Sequence, residues 1–174
     1  TGNTTNGHHH PLVTDLVGDL SSVNPNTLVT TATDGTITLF DIRQSVPAFS
    51  MRLPRAPDEQ ALSVSLGFEG SLAAVGTSKS NIHFYDVRNH QSLLGTYHQA
   101  HTQGVTKVRF QTLSSFGTTS TTSPFLVSGG EDGLVCVFDT SQSSEETALK
   151  NVLAVQSPIR QVGFFGPQSK AIYC

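Results

Sequence analysis

The 174-residue sequence predicts an all-β fold assembled from repeated antiparallel sheet units. Three observations predict it. An aromatic-Asp pair recurs at Phe40-Asp41, Tyr85-Asp86 and Phe138-Asp139 and closes three similar segments. The dipeptides Asp34-Gly35 and Asp132-Gly133 sit between apolar runs of strand length, where glycine's access to positive φ makes a tight hairpin. No long stretch carries an apolar stripe with a 3.6-residue period, so helices are not expected to organise the core.

The elements follow in chain order. Residues 28–30 and 37–40 flank the first Asp-Gly turn as β-branched and apolar runs, and 49–53 supplies a further strand. The second segment repeats the order with 62–66, a run opening at 72–74, the ending at Tyr85 and a last strand at 93–97. The third offers 105–110, 126–128, 134–138 and 149–155, and a strand at 159–164 opens a fourth. Asp41 and Asp86 lie 45 residues apart, within the ~40–45 of a four-stranded repeat. Asp86 and Asp139 lie 53 apart; the excess comes from 112–124, a Ser/Thr-rich insertion with no apolar period.

Composition narrows the function classes. Ten Lys and Arg against 13 Asp and Glu give a net charge of −3, which leaves no basic field to hold nucleic acid through its phosphates. Charged residues make up only 13% and hydrophobic ones 36%, enough for a core. No apolar run approaches the ~20 residues that span a bilayer, so no membrane partner is expected. Cys136 and Cys174 cannot build a disulfide scaffold and fit a reducing, cytoplasmic or nuclear compartment.

On the quoted endings and turns, the chain resembles the WD-repeat β-propeller family. The third unit carries the likeness most fully, with Ala100-His101 ahead of Val105, then 126–139 with Ser128, Asp132-Gly133 and Phe138-Asp139. Phe or Tyr replaces every Trp of the family pattern, and Ala100 replaces its Gly. The resemblance implies a hydrogen-bonded network inside each unit, formed by His101, Ser128 and Asp132 in the third and by His9, Thr30 and Asp34 in the first. In the middle unit Ala74 is assigned to the hydroxyl position and Glu59 to the histidine position, so that unit is expected to be held mainly by packing. The implied units are about 8–53, 58–98, 100–155 and an incomplete 158–174, parts of one propeller domain. At ~40–45 residues per unit, a closed ring needs more chain than this. The expectation is therefore a partial propeller of about three and a half four-stranded blades, a fragment of a larger, seven-bladed ring.

Chemical readings of the same residues weigh less. His8-His9-His10 and the pair His98 and His101 lack a Cys or carboxylate at ligand spacing, so no metal site is assigned. Gly129 to Gly133 precedes a strand where phosphate capture needs a helix. Ser128 has no nucleophile-elbow context, and Cys136 lies mid-strand between two valines. No catalytic residue and no cofactor is assigned.

The endings Phe40-Asp41-Ile42-Arg43 and Tyr85-Asp86-Val87-Arg88 set two arginines at equivalent strand ends. Paired guanidiniums suit bidentate capture of carboxylates, making Asp41, Arg43, Asp86 and Arg88 candidates for partner binding. Local pairing of each arginine with its neighbouring aspartate is the structural alternative. The expected function is a noncatalytic scaffold for protein–protein interaction. The alternative is a substrate receptor of a cullin–RING ubiquitin ligase, which the resemblance implies would dock on its adaptor through Arg43 and Arg88. The 112–124 insertion and the Pro-containing connection 46–58 are partner-specific elements or tolerated loops.

Overall fold

Period-two alternation of side chains organises the structure into sheets whose two faces enter different apolar layers. The computed structural model describes residues 10–18, 26–53, 58–89, 93–112, 124–166 and 170–174. His9, most of the 112–124 insertion and residues 54–57 of the 46–58 connection lie outside them. The first sheet (blade 1) contains β1 (Val13–Gly18), β2 (Thr27–Ala32), β3 (Thr36–Asp41) and β4 (Pro47–Arg52). Blade 2 contains β5 (Ala61–Gly67), β6 (Leu72–Thr77), β7 (Ile82–Asp86) and β8 (Leu93–Tyr97). Blade 3 contains β9 (Val105–Phe110), β10 (Phe125–Gly130), β11 (Leu134–Asp139) and β12 (Leu149–Ala154). A two-stranded hairpin follows, β13 (Gly163–Phe165) with β14 (Ala171–Tyr173). Each four-stranded sheet is an antiparallel meander in chain order.

Turn chemistry sets the register. Gly35 and Gly133 both adopt φ +75°, and the preceding aspartates accept the backbone N–H two residues on, Thr36 at 3.0 Å and Leu134 at 3.1 Å. Ser80 takes the equivalent left-handed place in blade 2 with φ 62°. Blade 2 shows the face alternation plainly. Ala73, Val75 and Tyr85 join Val29, Ile37 and Leu53 of blade 1 in one apolar layer. Ala74, Ile82 and Phe84, one residue out of phase, join Val108, Leu126 and Phe138 of blade 3 in the next. A third layer holds Val127 and Val135 against Ile159 and Val162.

Two details differ from the sequence expectation. A four-residue helix, α1 (Glu145–Ala148), capped by Ser144 through the Thr147 N–H, precedes β12. The sequence predicts a strand over 159–164, whereas strand pairing there covers β13, Gly163 to Phe165 against Ala171 to Tyr173. Among the described residues, no helix is long and apolar enough to cross a membrane.

Candidate interaction site

Behind the surface, blades 2 and 3 each draw polar side chains into a buried cluster. In blade 3, His101 from the β8–β9 connection reaches Ser128 Oγ on β10 with Nε2 at 2.7 Å. Its Nδ1 lies 3.1 and 3.2 Å from the two carboxylate oxygens of Asp132. One ring thus ties the Asp132 turn to the Ser128 strand, with a hydrogen bond at each of its nitrogens. Burial would raise the pKa of Asp132, but the N–H groups of Thr102 and Leu134, together with His101, hold it below the usual carboxylate range. The structure therefore brings His101, Ser128 and Asp132 together, with buried Cys136 opposite Ser128 and fully buried Phe138 in the same apolar layer as Cys136. In blade 1, Asp34 accepts from Thr36 N–H and from Arg52 at 3.0 Å each, and Thr30 pairs across the sheet with Thr38.

Blade 2 corrects one sequence assignment. Ser128 stands opposite Cys136, and the residue in that register of blade 2 is Val75, opposite His83; Ala74 faces the other apolar layer. Beside the packing expected to be its main support, the blade has a buried polar cluster. Glu59 is buried and accepts from Thr77 Oγ1 at 2.6 Å and Asn81 Nδ2 at 3.0 Å, with His83 Nε2 at 3.4 Å. His83 Nδ1 continues the chain to Thr96 Oγ1 at 2.8 Å on β8. Desolvation opposes ionisation of Glu59, yet the Thr77 and Asn81 hydrogen bonds and the nearby His83 hold its pKa below the usual range. Blade 2 thus keeps a polar cluster but builds it from other positions.

The rim presents the predicted arginines. Arg43 folds back on Asp41 with Nε at 2.9 Å and an Nη at 2.6 Å, and its backbone N–H also donates to that carboxylate. Those hydrogen bonds bring Asp41 down to about 2. Arg88 repeats the turn on Asp86, with its N–H at 2.9 Å and Nε at 3.3 Å, which lowers Asp86 as well. The two arginine side chains remain 69% and 78% exposed. In blade 3 Asp139 makes the same turn with Ser141 N–H. The aspartate of each ending is therefore first a turn-former, and the arginine lies over it in the first two blades.

Other expected or missed groups have clear places. Cys136 is buried, and burial with the nearby Asp132 and Glu145 charges pushes its thiol up to about 12, far from a nucleophilic thiolate. His98 is exposed beside Glu145, whose carboxylate accepts the N–H groups of His98, Gln99 and Ala100 at 2.7–2.9 Å. Among the described residues, no group of three His, Cys, Asp or Glu side chains could hold a metal ion. A small, half-open apolar cavity lies between blades 1 and 2, walled by Val29, Ile37, Leu39, Met51 and Tyr85. Sequence reasoning missed Asp15, whose only signal is an acid inside a strand, and its partners Lys107 and Arg109, two cations at period-two spacing on β9.

The family model for the WD domain, G-beta repeat, matches residues 2–41 and 91–139, just over half of the chain. The chain belongs to the WD40 repeat family. The unmatched stretch between those segments holds most of blade 2, the blade whose polar cluster departs from its neighbours. This WD40 chain is 25% identical over 150 residues to the WD repeat-containing protein 89 homolog of Dictyostelium discoideum, covering 86% of this chain and 37% of the relative. It is 24% identical over 137 residues to an uncharacterized WD repeat-containing protein of Schizosaccharomyces pombe, covering 77% of this chain and 39% of that one. Among solved structures, the RRP9 WD40 repeats match with a TM-score of 0.65 at 18% identity, over 83% of this chain and 39% of that chain. U3-55K matches with a TM-score of 0.64 at 17% identity, over 83% and 40%. The WD40 chain therefore has the architecture of a partial β-propeller and spans less than half the length of the relatives it matches.

Proposed function

We propose that this WD40 chain is a noncatalytic platform for protein–protein contacts. One observation carries the reading: its groups with chemical potential are turned on one another. His101, Ser128 and Asp132 are buried in one cluster, and Glu59 and His83 in another. Catalysis needs such groups to converge on a pocket, whereas here they pin strands to turns. The exposed charges lie on rims and strand ends, where a partner protein can reach them. The ranges 8–53, 58–98, 100–155 and 158–174 serve in this reading as successive units of one propeller domain. Affinity capture of the full-length protein tests it. Recovery of stable protein partners is expected, and a protein that crosslinks to none contradicts it.

The narrower reading is adaptor docking in a cullin–RING ubiquitin ligase. What supports it is the matched placement of two exposed guanidiniums after equivalent strands of adjacent blades. Docking would require each to leave its own aspartate for a partner carboxylate. Arg43→Ala combined with Arg88→Ala is expected to abolish adaptor recovery, and undiminished recovery discards this reading.

A further inference from the structure

Among the described residues, apolar layers couple adjacent blades: one is shared by blades 1 and 2, another by blades 2 and 3. Repeat arrays held by nearest-neighbour contacts can open one unit at a time. A second set of contacts spans the inner strands and reaches further. Thr31, Gly76 and Gly129 each lie nine residues before the aromatic of their ending, and they stand opposite Asp15, Ser63 and Lys107. Those three side chains thus occupy one register position on three successive inner strands. Asp15 accepts from Ser63 Oγ at 2.6 Å and from Val64 N–H at 3.2 Å in blade 2. It also accepts from Lys107 Nζ at 3.1 Å and from the Arg109 guanidinium at 3.0 and 3.3 Å in blade 3. Arg109 further donates to the Val64 carbonyl, and Ser63 Oγ accepts the Val108 N–H. The Asp15 and Lys107 side chains are 7% and 11% exposed, so this charge pairing is poorly screened by water.

We infer that Asp15, Ser63, Lys107 and Arg109 form a clasp that makes blades 1 to 3 open as one unit. Blade 1 cannot swing away without stripping Lys107 and Arg109 of their shared carboxylate and the Ser63 hydroxyl of its acceptor, so its opening is tied to that of blade 3. The clasp is a conformational device: it holds the rims of three blades in a fixed mutual arrangement. It stands whether or not the rims bind any particular partner.

Hydrogen exchange read by mass spectrometry tests this, comparing the full-length protein with its Asp15→Asn variant, which keeps the shape and removes the charge. In the unaltered chain, amides of β2 and β3 are expected to exchange together with those of β10 and β11. In the variant, β2 and β3 are expected to exchange roughly tenfold faster or more, while β10 and β11 keep their rate. Equal acceleration of both sets, no change in either, or early exchange of blade 1 in the unaltered chain would overturn the clasp. Should Asp15→Asn fail to fold, Lys107→Met, which leaves Arg109 in place, is expected to give the same order with a smaller separation, and the same outcomes count against it.

Discussion

Asp15 and Lys107 share a register position on inner strands two blades apart, and their side chains meet at 3.1 Å. The first consequence concerns acid. Burial alone would raise the pKa of Asp15, but the Arg109 and Ser63 hydrogen bonds and the charges of Arg109 and Lys107 bring it down to about 2 from 3.8. A folded-state value below the unfolded one contributes stability above pH ~4 that is lost as pH falls towards 2. The shift corresponds to roughly 2 kcal/mol. Urea unfolding of the chain and Asp15→Asn between pH 6 and 2 measures it; the expected result is a stability gap that narrows steadily below pH ~4.

Blade 2 supplies a sharper contrast. Glu59→Ala removes the acceptor for Thr77 and Asn81 and leaves a buried hydroxyl and a partly buried amide unmatched. A loss of about 2 kcal/mol or more is expected in the urea midpoint. A blade held by packing alone would lose little.

How far the sequence could be read is clear from these same residues. The strands and hairpins were legible because alternating apolar residues and Asp-Gly turns are local signals, and His101, Ser128 and Asp132 stood at spacings the family resemblance made recognisable. Blade 2 was not. Leu72-Ala73-Ala74 looks like Leu126-Val127-Ser128 by eye, yet Leu72 pairs with Asp86 whereas Leu126 pairs with Phe138. That one-residue slip exchanges the two faces of a strand, and only pairing resolves it. Helix α1 is too short for a period, and its Glu145 acts through backbone N–H groups that no side-chain pattern encodes. The Asp15 clasp joins residues more than 90 positions apart, so no local window contains it.

Tyr85 offers a test of opposite sign. Its hydroxyl is buried with no hydrogen-bond partner among the described residues, and burial, then the Glu59 charge, pushes its pKa up. Tyr85→Phe removes that group and keeps the ring. Stability is expected to hold or rise by up to about 2 kcal/mol, read by chemical denaturation. A loss above ~1 kcal/mol would reveal a hydroxyl that is satisfied.

The central claim is a division of labour, with buried polar groups holding the blades and the outer surface making the contacts. Lysine-directed crosslinking of the captured full-length protein measures it most directly. Lys79, Lys150 and Lys170 are exposed, while Lys107 is buried against Asp15. Crosslinks to partner proteins are expected at the exposed three with Lys107 unmodified; crosslinks running through Lys107, or none to any protein, would contradict the account.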